Sequence, residues 1–205
     1  KLILPSTVEE IDSSCFYNVC KLNYIEILSN NPFFSVLKKQ ILLKNEHLKD
    51  GKVNKVLVFA IRKIENVKIP SDVDYIDEYA FNNCKNLKSI SFEKNSSVKF
   101  IKNDAFSFIW GPRIFVVPPS VVEVCSNAFS HMKNVETITF QSESIKIGSL
   151  CFSLSENLSV ISFINAIEIS LEELALSNLN NNTEIHAISG AKFYHIHGKK
   201  KILMN

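Results

Sequence analysis

Ile69-Pro70-Ser71-Asp72-Val73-Asp74-Tyr75-Ile76-Asp77-Glu78-Tyr79-Ala80-Phe81-Asn82-Asn83-Cys84-Lys85-Asn86-Leu87-Lys88-Ser89-Ile90-Ser91-Phe92 is the stretch that decides the fold, because it returns along the chain. Its anchor, Phe81, is followed by Phe106, Phe129 and Phe152 at spacings of 25, 23 and 23 residues. Phe16 precedes it, and Leu176 takes the same place 24 residues after Phe152. Five positions before each anchor stand Ile11, Ile76, Ile101, Val124, Ile147 and Leu171; directly before it come Cys15, Ala80, Ala105, Ala128, Cys151 and Ala175. Nine positions after it come Ile25, Ile90, Phe115, Ile138, Ile161 and Ile185, and eleven after it Ile27, Phe92, Val117, Phe140, Phe163 and Ala187. A period of this length is the signature of stacked supersecondary units. A single unit buries too little apolar surface to offset its conformational entropy, whereas a stack covers each unit with the next.

Within a unit the runs Leu87 to Phe92, Val135 to Phe140 and Leu158 to Phe163 alternate apolar and polar residues, as a half-buried strand does. One strand per unit predicts a parallel sheet. The spacing of four and then one residue in Ile76 to Phe81 and Val124 to Phe129 predicts a short helical or 3-10 turn that lays the anchor inward. Alanine or cysteine before the anchor implies a confined space. Pro5, Pro70 and Pro118 each stand eleven residues before an anchor and end the preceding strand, where a ladder donor is lost. Asn82 to Asn86 reads as the turn back into the strand.

The unit at 69–92, with its Ile-Pro, Val, Ile, Ala-Phe, Cys, Asn-Leu and Ile positions, resembles the BspA-type, or Treponema-type, leucine-rich repeat. The unit from Pro118 to Phe140 is similar, and the resemblance covers residues 1–27 and 69–187. It implies a right-handed leucine-rich-repeat solenoid, a repeat protein with one parallel strand and a short helical or 3-10 turn per unit of about 23 residues. Such units are abundant in surface proteins of oral bacteria and parasitic protists. The resemblance therefore implies a cell-surface location, an adhesive or antigenic role, and a protein partner on a host cell or in its extracellular matrix.

The expected organisation is one solenoid over residues 1–205: a repeat at 1–27, a hairpin-containing insertion at 28–68, consecutive repeats at 69–187, and a second insertion beginning at 188–205. Phe33 to Val36 and Gln40 to Leu43, separated by Lys38-Lys39, read as a hairpin; Asp50-Gly51 marks a later turn. Asn31-Pro32-Phe33-Phe34 opens the insertion, as Asn-Pro-x-Phe does in the family it resembles. Leu2 and Leu4 hold the places of Ile90 and Phe92, so the chain is expected to be a segment of a longer protein.

Composition narrows the function classes. A net charge of +2 and a pI near 8.2 make no case for a nucleic-acid partner. No apolar run approaches the roughly 18 residues of a membrane span. Five cysteines without paired spacing argue against a disulfide framework; Cys15, Cys84 and Cys151 read as small core residues. No cofactor motif is present: there is no Gly-rich phosphate loop and no Gly-x-Ser-x-Gly. Glu9-Glu10, Asp77-Glu78 and Glu172-Glu173 read as solvated charge rather than acid/base pairs. His195 and His197, with His186, read as surface histidines rather than metal ligands. Nothing points to an enzyme.

What remains is a display surface. The outward strand positions are Tyr24, Ser89, Ile114, Thr137, Val160 and Glu184, beside Glu26, Ser91, Val116, Thr139, Ser162 and His186. Trp110 replaces a polar turn residue, and Ile114 and Val116 occupy outward positions held by Ser89, Ser91, Thr137 and Thr139 in the neighbouring units. Trp110, Arg113, Ile114, Val116, Thr137 and Thr139, with Ser89 and Ser91 alongside, are therefore the candidate protein-binding residues. An architectural spacer or intracellular scaffold in a larger protein is the alternative.

Overall fold

A computed structural model describes residues 1–28, 30–194 and 202–204, and in it the repeats wind into a solenoid with almost no helix. The chain opens with β1 (Leu2–Leu4), a 3-10 turn at Ser13–Phe16, and β2 (Ile25–Ile27). An antiparallel meander of β3 (Phe34–Leu37), β4 (Ile41–His47) and β5 (Val53–Ala60) follows. The next strands are β6 (Asn66–Ile69), β7 (Tyr75–Ile76), β8 (Ser89–Phe92), β9 (Phe100–Ile101), β10 (Ile114–Val117) and β11 (Glu123–Val124). After them come β12 (Thr137–Phe140), β13 (Ser144–Ile147), β14 (Val160–Phe163), β15 (Glu168–Leu171), β16 (Glu184–Ala187), β17 (Lys192–Tyr194) and β18 (Ile202–Met204).

Each regular coil carries two strands, not the single one expected. The even-numbered strands from β6 onward form the front face, where Ile138 and Phe140 point inward and Thr137 and Thr139 outward. The odd-numbered strands from β5 onward, with β4 and β3 beyond them, make one continuous back sheet. Its strands are the second alternating run of each unit, with Ile145 and Ile147 buried between exposed Ser144 and Lys146.

The expected helical turn at the anchor is also different in kind. Two residues flanking it adopt left-handed backbone: Tyr79, Asp104, Asn127 and Leu150 before it, and Asn83, Phe108, His131 and Leu154 after it, all with φ between 54° and 60°. This alternation stops a helix from propagating and turns successive amides toward the next coil. Phe81 N–H donates to Ala105 carbonyl (2.8 Å), Phe106 to Ala128 (2.9 Å) and Phe129 to Cys151 (2.9 Å). The turn is thus a third inter-coil ladder. Among the described residues only the first unit keeps a 3-10 helix, capped by the Asp12 side chain, which accepts from Ser14 N–H. There Cys15 is exposed, whereas Ala80, Ala105, Ala128 and Cys151 are fully buried. Cys15 is therefore not the core residue that its position implied.

Behind the turn ladder the anchor rings stack: Phe81 on Phe106 at 4.9 Å, Phe106 on Phe129 at 5.6 Å, and Phe129 on Phe152 at 6.3 Å, nearly parallel. Phe115 meets the edges of Phe106 and Phe129 at 4.9 Å each.

The segment expected to be a 28–68 insertion does not leave the solenoid. Lys38 and Lys39, both at positive φ, close the β3–β4 hairpin. β5 then pairs in parallel with β7, and β6 with β8, so residues 53–69 form a coil. This coil escaped the repeat pattern because Phe59-Ala60 inverts the Ala-Phe order. Ala60 N–H donates to Ala80 carbonyl (2.9 Å) where an anchor amide would, and Phe59 stacks on Phe16 at 4.5 Å. Arg62 lies buried over the Phe59 ring and donates to the carbonyls of Phe16, Ala60, Tyr79 and Ala80. One side chain thereby ties the first coil to those that follow. Asn31 fastens the hairpin: its amide donates to Pro5 and Val8 carbonyls, and its oxygen accepts from Phe33 and Phe34 N–H.

The expected second insertion at 188–205 is also a continuation. β17 pairs with β15 and β18 with β16, so both faces extend through the described part of that segment.

Two predictions follow from this packing. Replacing Phe129 by Ala removes a ring buried between two others and is expected to cost about 3–5 kcal/mol, read by chemical denaturation. Asn31→Ala leaves two amides without acceptors and is expected to cost about 2 kcal/mol in the same assay, with little change in the native fold.

Candidate interaction surface

The candidate residues fall into three neighbourhoods. Ile114 and Val116 stand outward on β10, 62% and 42% exposed, and lie beside Thr137 and Thr139 on β12 in register. Ser89 and Ser91 stand outward on β8, where Ser89 Oγ is hydrogen-bonded to Asn66 Oδ1 of β6 at 2.7 Å. Trp110 lies in the loop before β10, 42% exposed, with the ammonium groups of Lys133 and Lys85 at 4.7 and 5.6 Å from its ring centre. Arg113 is engaged: its Nε and Nη2 donate to Glu136 at 2.8 and 2.6 Å, and this pairing raises its pKa.

β8 and β10 are not hydrogen-bonded to one another. The front face splits into β1-β2, β6-β8 and β10-β12-β14-β16-β18. Each break falls before a strand that is followed by proline. After β2, β8, β12 and β14 the following amide makes a final rung, Leu28 to Leu4 carbonyl (3.0 Å), Glu93 to Ile69 (2.9 Å), Gln141 to Val117 (3.2 Å) and Ile164 to Phe140 (3.1 Å), whereas β16 pairs with β14 without one. Pro70 and Pro118 occupy that position after β6 and β10 and have no N–H to give. Gly111 holds the head of the second break closed, since a Cβ there would lie 2.6 Å from Leu87 carbonyl oxygen.

Below that point a cleft of about 440 Å³ opens, lined by Ile90, Phe92, Val116, Pro118, Pro119 and Gln141 among others. Ile90 and Phe92 were expected to be sealed core residues, as Ile138, Phe140 and Ile161 are. Instead both are only half-buried. The two signals for this were present in the sequence, the 25-residue spacing to Phe106 and the proline at 118.

The titratable groups show varied settings. Glu172 is not free charge: it pairs with Lys146 and accepts from Ser149, which lowers its pKa. Burial pushes the carboxyls of Asp77 and Asp104 upward. Cys84 and Cys151 are buried, and desolvation raises the Cys84 thiol to about 11. His186 contacts Glu184 at 2.9 Å; His195 and His197 lie outside the described residues. Among the described residues no group of three His, Cys, Asp or Glu side chains is disposed to hold a metal. Among the described residues no helix is long and apolar enough to cross a membrane.

A native carboxyl with a raised pKa holds its proton more tightly than the unfolded one, so the stability it adds is present at low pH and lost as pH rises through the folded value. Asp77→Asn removes that loss. Its denaturation midpoint is expected to exceed wild type at pH 7, with the difference shrinking as pH falls below the ordinary carboxylate range.

Residues 1–57 and 55–195 match the BspA type Leucine rich repeat region, in six copies. A leucine-rich repeat protein from Eubacterium ventriosum is similar over 92% of this chain and 50% of its own length, with a TM-score of 0.75 and 22% identity. The pneumococcal vaccine antigen PcpA is similar over 100% of this chain and 55% of its own, with a TM-score of 0.75 and 13% identity. At these identities the likeness is one of fold, and the chain spans about half the length of either protein. No curated protein matches the chain.

Proposed function

The chain belongs to the BspA-type leucine-rich repeat family, and from that premise we propose that it is a protein-interaction module within a cell-surface protein, with an adhesive or antigenic role. The observation that carries this reading is the pair Ile114 and Val116, apolar and outward on a sheet face whose neighbouring columns are Ser89, Ser91, Thr137 and Thr139. Exposing them costs solubility unless a partner covers them. Trp110 between two lysines adds an aromatic anchor of the kind that dominates binding energy. The solenoid fold shared with a vaccine antigen supports a surface setting. The partner is a protein, on a host cell or in its matrix, held by contacts that repeat along the stack and gain from avidity.

The test is a pull-down from host-cell and parent-organism extracts with wild type and with the Trp110→Ala, Val116→Ser double variant. Loss of an aromatic hot spot is expected to weaken binding by about 2 kcal/mol or more, and so to deplete the partner from the variant's eluate. Equal recovery by both proteins removes the patch. No recovery by either makes the chain an architectural spacer.

A further inference from the structure

We propose that the turn ridge at Phe108 and Trp110 is a docking site for an acidic segment of a partner protein, one carrying two carboxylates two residues apart and an aliphatic side chain beyond them. This rests on the reading of the chain as a protein-interaction module, and it names the chemistry of one contact on a surface other than the front face.

Two columns of side chains run along the ridge. Two places after each anchor stand Asn83, Phe108, His131 and Leu154, and four places after it Lys85, Trp110, Lys133 and Glu156. Cys84, Ile109 and Met132, between the columns, are fully buried. Backbone bonds keep successive coils in line here: Asn83 N–H donates to Ser107 carbonyl, Phe108 to Ser130, His131 to Ser153 and Lys133 to Ile109. Of these four coils, one places an aromatic ring in both columns, and both rings are exposed.

Cations surround the rings. The ammonium groups of Lys133 and Lys85, from the following and the preceding coil, lie over the indole, and the His131 ring stacks on Phe108 at 4.1 Å. Nearby, Lys88 is paired with Glu65 and Arg113 with Glu136. Lys85 and Lys133 have no carboxylate at ion-pair distance among the described residues. Glu156 follows Lys133 in the column and ends the cationic stretch. Asp104 acts on His131, at the Phe108 side of the ridge.

These charges select the occupant. An exposed ring calls for apolar cover and an unpaired ammonium for a carboxylate, and the ridge asks for both side by side. Lys85 and Lys133 stand two coils apart, about 9.5 Å at the backbone. Residues i and i+2 of an extended segment laid along the stack project to one side about 7 Å apart, and the flexible lysine stems close the difference. A third acid would meet Glu156, whereas an aliphatic residue two places on reaches exposed Leu154 in the same coil. A sugar ring would need a bare aromatic face, but ammonium groups lie over the indole and an imidazole over Phe108, which favours peptide side chains.

Trp110 is the only tryptophan in the chain, so its fluorescence reports the site directly. Phage-displayed random decapeptides selected on the 205-residue protein, and synthetic copies of those selected, test the proposal. The peptides are expected to share acids at i and i+2 with an aliphatic residue two places beyond, in either chain direction. Their binding should change Trp110 emission and weaken in about 1 M salt. It should weaken about tenfold or more in the Lys85→Glu, Lys133→Glu double variant, and less in Lys85→Gln, Lys133→Gln, which removes the charges without reversing them. Both lysines are exposed, so the core is left as it is. Failure to select any peptide overturns the proposal, as do selected peptides without acids, binding silent at Trp110, or unchanged affinity in both double variants. Response of Trp110 to a heparin fragment but to no peptide also overturns it and makes the ridge a site for sulfated sugar. Peptides that tolerate both lysine variants but lose affinity for Val116→Ser overturn the ridge and leave the front-face reading standing.

Discussion

The anchor turn is the constraint on which the rest of the molecule depends. A phenylalanine amide donates to the carbonyl before the next phenylalanine, while its ring lies on the next ring. These two interactions need the same coil spacing, and they can coexist only if the backbone on both sides of the anchor is left-handed. Asn, Asp and His accept that conformation at low cost, whereas Tyr79, Phe108, Leu150 and Leu154 adopt it against the steric preference of an L residue, by about 1–2 kcal/mol each. That strain is tolerated because the turns at Phe81, Phe106 and Phe129 each contribute three inter-coil hydrogen bonds and a buried aromatic contact, and the turn at Phe152 two hydrogen bonds. The small residue before the anchor follows from the same geometry, since its side chain points into the space between stacked turns.

Given a fixed spacing at the turn and along the continuous back sheet, irregularity is displaced to the front face. Extra residues in the Phe81-to-Phe106 unit cannot widen the back sheet, where β9 is paired on both sides. They are absorbed in the loop after β8, from Glu93 to Lys99, whose residues Lys94 to Ser96 line the cleft beside β10. Both breaks in the front ladder coincide with a proline after the strand, Pro70 and Pro118. Leu28, Glu93, Gln141 and Ile164 make the last rung, which Pro70 and Pro118 have no N–H to make. A single missing donor is worth only about 1 kcal/mol. Even so, it acts at the open end of a strand pair already splayed by the longer loop, where few other contacts resist separation.

The period, the anchor column and the alternation of the front strands were legible in the sequence because they are repeated, and repetition averages out local exceptions. What was not legible is what occurs once. The coil at residues 53–69 lacks an Ala-Phe anchor and so stands outside the repeat pattern, because Phe59 and Arg62 replace the anchor's contacts by different chemistry. The back strands were missed because β7, β9 and β11 are two residues long, too short for a period-2 pattern. Of the candidate surface, Ile114 and Val116 could be placed from alternation alone. Arg113's bidentate partner, Glu136, sits 23 residues away, and only the coil register brings it there.

A repeat surface faces a problem of selectivity: identical coils present identical columns, and a partner could bind in any register. The front face here is marked at two places, each time by a proline. At one the chain supplies its own hairpin; at the other it leaves inward-facing aromatic surface within reach of solvent. Breaking a ladder exposes main-chain groups that are the same in every protein, so the break by itself gives affinity without identity. Identity must come from the side chains around it, and those are individual: Trp110, Val116 and Lys94 have no equivalents in the neighbouring coils. A partner that reads them is fixed in register along an otherwise repetitive stack, which is how a solenoid of near-identical units can hold one ligand in one place.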